Sequence, residues 1–218
     1  MRGCALINLF IDSSRENLSI AITGNDKVIA KVNTSSHGKH SNYLMNNLKE
    51  IFENNGMNIY DVDNIIVLNG PGSFTGLRVG VTVAKTIAWA LSKKLYQLST
   101  LDALKVHDSN DAVISVFYDK PSSSYVGLYI DNSNVKDYMN LDDDRLNISD
   151  NNIDIVSYEN NDFVKALQAK LEKNNNVNIK IIENYDYVKV INEALLSKPV
   201  MVHNSAPIYL KKIDAEKK

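Results

Sequence analysis

Apolar residues fall into three patterns along this chain, and each predicts a different element. Residues 4–11 are apolar apart from Asn8, and the run stops at Asp12-Ser13-Ser14, as expected of a buried first strand over 5–12. Residues 18–23 and 28–32 alternate polar and apolar around Gly24-Asn25-Asp26, which predicts an antiparallel hairpin with one buried face. The first three strands therefore read as a meander. Leu44, Leu48, Ile51 and Phe52 recur at helical spacing. With Ser41 as cap and Gly56 as left-handed terminator they predict a helix over 41–55. A short apolar run at 64–68 then leads into Gly70-Pro71-Gly72-Ser73-Phe74-Thr75-Gly76-Leu77-Arg78-Val79-Gly80 and an almost wholly apolar stretch to residue 91. That order predicts strand, sharp turn and buried helix.

The second half repeats the theme with variation. Residues 95–98 predict a short strand and 100–106 a short helix. Residues 112–118 and 125–130 predict paired strands around Lys120-Pro121-Ser122-Ser123-Ser124. Residues 132–152 are polar and read as loop. Residues 163–171 form an amphipathic helix, 177–182 a strand, 187–196 a helix and 200–202 a last short strand. Meander strands followed by alternating helix and strand, twice over, predict two related α/β lobes. The boundary falls near 105–111, giving an N-terminal lobe over 1–105 and a smaller, degenerate one over 106–218.

Composition narrows the function classes. The 218 residues are 44% hydrophobic and 23% charged, with a formal net charge of −2. That balance suits a globular protein and not a stand-alone nucleic-acid binder, which needs a concentrated basic face. Lys211, Lys212, Lys217 and Lys218 make only a small basic tail, read as a solvated terminus. The apolar runs are too short to cross a bilayer, and residues 4–11 lack the charged leader of a signal peptide. Cys4 is the only cysteine, so a disulfide framework is excluded and a reducing cytoplasmic setting is expected.

Residues 70–80 hold four of the chain's nine glycines. Backbone N–H groups at such a turn, added to the partial positive charge of a helix start, could hold an anion. Asp12 and Ser13 at the end of the first strand, with Gly72, Ser73 and Thr75 in the turn, are the candidate nucleotide or phosphate ligands. A purely structural turn is the alternative, because the P-loop ending and the dinucleotide spacing are both missing. Beyond the turn, Gly76, Gly80, Ala84 and Ala88 recur every fourth position and form one stripe of small side chains. Such a stripe admits another helix closely, from this chain or from a partner. His37, His40, His107 and His203 include one pair three residues apart, with no third ligand in sight. No metal site and no catalytic residue are expected. Gly72-Ser73-Phe74-Thr75-Gly76 is not a nucleophile elbow, which makes a peptidase the remotest reading.

The glycine motif, with Ala84-Lys85, Ala88 and Ser99-Thr100-Leu101-Asp102-Ala103-Leu104 downstream, resembles the bacterial TsaB (YeaZ) family. Asp12-Ser13-Ser14, His40-Ser41 and Pro207-Ile208-Tyr209-Leu210-Lys211 agree with it. The resemblance implies an α/β, two-lobed actin/sugar-kinase/Hsp70-like (ribonuclease H-like) fold, each lobe a mixed sheet with flanking helices. It also implies a non-catalytic subunit for making threonylcarbamoyladenosine in tRNA, beside the anticodon. The partners it implies are a catalytic TsaD-like subunit, a TsaE-like ATPase and, in their absence, a second copy of the chain; tRNA is met only indirectly and no membrane is involved. Pairing through the first two helices would use Leu44, Leu48, Gly76, Arg78, Gly80, Ala84, Lys85 and Ala88. On this view Ala84→Arg breaks association and spares the fold. No tightly bound cofactor is expected, with ATP and magnesium at most at a partner-completed surface. The other reading within the fold is a stand-alone ATP-binding phosphotransferase or ATPase. One motif departs: the family's Asp-Ala-Arg is Tyr118-Asp119-Lys120 here.

Overall fold

Strand β1 (Ile7–Asp12) is buried on both faces because strands flank it on both sides and helices cover it above and below. It pairs antiparallel with β2 (Asn17–Gly24) and parallel with β4 (Asn64–Leu68). With β3 (Lys27–Ser35) and β5 (Lys94–Leu98) the sheet order is β3-β2-β1-β4-β5. In the computed structural model the described residues are 6–35, 40–130, 133–149 and 152–211, without the side chains of His40 and Ser133. Cys4, His37, Lys212, Lys217 and Lys218 lie outside them. The β2–β3 hairpin turns through Asn25 and Asp26 at φ 50° and 55°, the left-handed pair that suits the twist of an antiparallel ribbon.

Buried amides set the register. Asn64 Nδ2 donates to Asn8 Oδ1 at 2.8 Å, and Asn8 Nδ2 donates to Thr23 Oγ1 at 3.3 Å. A slip of one residue would strand these groups in the core and turn every apolar side chain to the wrong face.

Helices α1 (His40–Glu53) and α2 (Phe74–Ala90) cover one face of this sheet, where Leu9, Ile11 and Ile20 meet Leu44, Leu48 and Val81. Helix α1 begins at His40, so Ser41 lies inside its first turn and does not cap it. Gly56, at φ 61°, follows its end. On the other face, Phe10 packs edge-on against Tyr187 of α5 (Tyr187–Leu195) with ring centroids 5.6 Å apart. Such a pair contributes about 0.5–1.5 kcal/mol beyond its buried area. The Tyr187 hydroxyl donates to Asn33 Oδ1 at 2.7 Å; burial pushes its pKa up.

These contacts redraw the expected boundary. One unit comprises Met1–Ser99 with Asp186–Ile208, and the other Thr100–Tyr185 with Tyr209–Lys218. The cut at 105 is thus displaced, and the return of α5 to the first unit follows from its aromatic and polar ties to β1 and β3. The expected strand at 200–202 is instead a single bridge of Val200 to Leu95, followed by a 3-10 turn at Val202–Asn204.

The second unit holds β6 (Ala112–Lys120), β7 (Ser123–Ile130), β8 (Ser133–Asn140), β9 (Asn152–Ser157) and β10 (Asn176–Ile181), ordered β10-β9-β6-β7-β8. Taken from its own first strand, this is the same third-second-first-fourth-fifth order, with the same antiparallel and parallel pairings. Residues 132–152 were expected to be loop, yet they contain β8. An edge strand can be polar because only one side of it is paired. Helix α4 (Asp162–Leu171) buries Phe163, Val164 and Leu167 on one face. Helix α3 (Thr100–Lys105) packs Leu104 on Val113, Tyr129 and Val156 on the other. Asp102 ties α3 to the hairpin, accepting from the Tyr129 hydroxyl at 2.9 Å and from Lys136 Nζ at 2.6 Å.

Asp154 of β9 is buried, accepts from Asn178 Nδ2 at 3.0 Å and from Asn110 Nδ2, and faces the Asp108 carboxyl. Burial and the Asp108 charge push its carboxyl above the ordinary 3.8, against the opposing bond from Asn178. A carboxyl raised in the folded state contributes stability that is present in acid and lost as pH climbs through its folded value. Asp108→Asn should lower the midpoint of the Asp154 side-chain NMR titration and shrink that loss. An unmoved midpoint would assign the whole shift to burial.

The glycine turn and the outer face of two helices

The turn after β4 is clamped by its own chain on two sides. Gly70 has φ 118°, and a Cβ there would stand 2.7 Å from the Ile208 carbonyl oxygen. Ile208 in turn donates its N–H to Asn69 O at 2.7 Å. From the other side comes the end of β1. A Cβ on Gly72 would meet the Ser14 carbonyl oxygen at 2.6 Å, and one on Gly80 would meet Ser13 Oγ at 2.1 Å. Ser13 Oγ donates to Gly76 O at 2.8 Å, and Ser73 N donates to Ser14 O at 2.7 Å. Ser73 caps α2, its hydroxyl accepting from Gly76 N at 3.3 Å.

This geometry decides how the turn can meet a phosphate. The Ser73 and Gly76 amides are already bonded within the chain. Asp12 and Ser13 are fully buried; Asp12 Oδ1 accepts from Ser14 N at 2.8 Å and Oδ2 lies 3.9 Å from Arg15 Nε. Of the five candidate ligands, Asp12 and Ser13 serve the packing of α2 on β1, Gly72 makes room for Ser14, Ser73 is the cap and Thr75 alone is exposed. The residues therefore do not fit a self-contained phosphate cradle, although the Ser14 hydroxyl is buried without a partner.

The small stripe faces inward. Gly76, Gly80, Ala84 and Ala88 are buried on the chain's own sheet, and Leu44 and Leu48 are buried beside them. Apart from Leu48, which reaches the groove described below, these residues are not an open docking surface, and Ala84→Arg would break the core. The close approach at Gly76 and Gly80 comes from Ser13, just past the end of β1. Of the eight expected interface residues, Arg78 is exposed, its guanidinium 3.8 Å above the Phe74 ring. Lys85 is half-buried and donates to Ser205 O at 3.4 Å.

The outward face carries different apolar residues. Met45, Tyr60, Phe74 and Trp89 are 53%, 68%, 47% and 67% exposed. Tyr60 belongs to a 3-10 turn at Ile59–Asp61 after α1. Met45 also lines a groove of about 300 Å³ with Leu48, Phe52, Met57, Ile59 and Ile87, edged by Lys49, Glu53 and Asn58. Single exposed apolar residues are ordinary, but several around an apolar groove are the mark of an interaction surface. Reading α2 alone could not find it, because Met45, Met57 and Ile59 come from other elements.

Among the described residues no three His, Cys, Asp or Glu side chains gather to hold a metal, and no helix is long and apolar enough to cross a membrane. His107 Nδ1 lies 3.3 Å from Leu104 O, and His203 sits in the last 3-10 turn.

Known proteins share this arrangement. The family model described as TsaD, tRNA N6-adenosine threonylcarbamoyltransferase, matches residues 27–202. The chain belongs to the TsaD family. Within the wider TsaD group it is similar to proteins named TsaB. The tRNA threonylcarbamoyladenosine biosynthesis protein TsaB of Bacillus subtilis is 37% identical over 123 residues, covering 56% of this chain and 54% of that protein. The chain thus spans about half the length of the curated relatives it matches. YeaZ from Pseudomonas aeruginosa superposes with a TM-score of 0.73 at 17% identity, covering 94% of this chain and 100% of that one. Ethanolamine utilization protein EutJ from Carboxydothermus hydrogenoformans superposes at 0.51 and 10% identity, covering 88% and 90%. At such identities the likeness is one of fold: two mixed five-stranded sheets with flanking helices.

Gly80→Ala tests the clamp. In an unconstrained helix this change stabilises by about 0.8–1 kcal/mol. Here the new methyl overlaps Ser13 Oγ, so a loss of roughly 1–3 kcal/mol is expected in urea unfolding. Ser13→Gly in the same chain should restore part of it. A stabilised Gly80→Ala would refute the close contact.

Proposed function

We propose that this chain is a non-catalytic subunit needed for threonylcarbamoyl transfer to N6 of the adenosine beside the anticodon in tRNA. A TsaD-like catalytic subunit docks on the outer face of α1 and α2, a TsaE-like ATPase joins them, and a second copy of this chain takes the face when the partner is missing. The observation that carries the reading is that face itself: a largely apolar groove lined by Met45, Leu48, Phe52 and Ile87, with Trp89 of α2 exposed as well. Similarity to proteins named for threonylcarbamoyladenosine biosynthesis supplies the pathway.

Docking would act by holding the partner in its competent state, because a bound surface shifts an equilibrium by its difference in affinity for the two states. tRNA then meets the chain only through the complex. The formal charge of −2 agrees with phosphate neutralisation being done elsewhere. ATP with magnesium enters this scheme only at a surface that the partner completes, since the chain's own turn is occupied by β1.

Trp89→Glu and Met45→Glu are expected to weaken capture of the TsaD-like subunit by roughly 2 kcal/mol each, about thirtyfold. Both positions are exposed, so unfolding free energy should move by no more than about 0.5 kcal/mol. Association is read by analytical ultracentrifugation, and modification by mass of the tRNA nucleosides in a reconstituted assay. Unchanged association in both variants would overturn the docking face. Turnover of Mg-ATP by the chain alone would favour the phosphotransferase reading.

A further inference from the structure

Two stretches 92 residues apart in sequence meet on the second unit. Asp119 stands where β6 ends, in Tyr118-Asp119-Lys120, and Lys211 closes Pro207-Ile208-Tyr209-Leu210-Lys211. Lys211 Nζ lies 2.9 Å from Asp119 Oδ2 and 4.9 Å above the centroid of the Tyr138 ring on β8. The Tyr138 hydroxyl donates to the same Asp119 oxygen. Behind it, the Tyr125 ring of β7 meets Tyr138 edge-on at 5.0 Å.

An exposed ion pair of one lysine and one carboxylate does little, because water serves both partners as well. This group has more than a pair. An ammonium within about 6 Å of a ring face is attracted by the ring's quadrupole. The hydroxyl of that ring holds the carboxylate still by a charge-assisted bond. The second ring fixes the first. Together they form a seat with an aromatic wall and an anionic rim, the chemistry that selects alkylammonium groups.

We propose that Asp119, Tyr138 and Tyr125 form a binding site for a primary alkylammonium, and that its resident ligand is the chain's own Lys211 side chain. The site is independent of the docking face on α1 and α2. Its electrostatics agree with it. Burial opposes ionisation of Asp119, but the Tyr138 hydroxyl, Lys211 and Lys120 outweigh that and hold its carboxyl below the usual range. The bond to Asp119 pushes the Lys211 ammonium up. Burial and the bond to Asp119 push Tyr138 up as well. Lysine at the rim therefore stays charged, and tyrosine stays a donor, through neutral pH.

The test empties the seat and refills it. Lys211→Ala in the full chain should shift the Tyr138 and Tyr125 ring signals in NMR, whereas Lys211→Arg should leave them near their native positions. Added n-butylammonium, the severed lysine side chain, should return the Lys211→Ala signals toward native values in a saturable titration. Wild type should not respond, and Lys211→Ala/Asp119→Asn should bind at least tenfold more weakly. Thermal unfolding of each variant confirms that it is folded. An absent response in Lys211→Ala, or an equal one in wild type and the double variant, would overturn the proposal.

Discussion

The contact between the end of β1 and the first turns of α2 governs the first unit. Ser13 and Ser14 occupy the space that side chains at 80 and 72 would need, and the same two residues bond to Gly76 and Ser73. A helix normally stands off a sheet by the thickness of its side chains. Here that layer is missing for two turns, so backbone lies on strand end. Once α2 is seated, its remaining small residues, Ala84 and Ala88, continue the close fit, and α1 packs alongside. The outer face of the helix pair is the by-product: the residues that cannot turn inward, Phe74, Arg78, Thr82, Thr86 and Trp89, are left outside.

The same sheet order occurs in both units, but different interactions hold it. In the first, a ladder of buried amides from Asn64 through Asn8 to Thr23 aligns three strands. In the second, Asp154 draws Asn110 and Asn178 to itself and carries the neighbouring Asp108 charge. The register-setting amides of the first unit are neutral and paired with one another. The polar groups of the second include two acids side by side, which makes the second unit the more sensitive to pH. The Asp102 tie to Tyr129 and Lys136 adds another charged anchor to that unit.

Much of this was legible in the chain. Period-two alternation located β2 and β3, Asn25-Asp26 located their turn, and helical spacing located α1, α2, α4 and α5. The glycine motif announced a close approach. What the pattern could not say was which element approaches, since a small residue is equally suited to a strand of its own sheet and to a foreign helix. Strand β8 escaped notice because an edge strand need not be apolar. The unit boundary moved because Tyr187 reaches back to Phe10 and Asn33, a link without local signal. The outer groove and the Asp119–Lys211 seat are assembled from residues far apart in sequence, and only the folded chain brings each set together.

Trp89 is the only tryptophan in the chain, and it stands on the solvent side of α2 with two thirds of its surface open. The indole emission of this protein therefore comes from one place, the face assigned to docking. A subunit settling there would strip water from the ring and move its emission toward the blue, so the native chain carries its own optical probe at the surface where a label would interfere most.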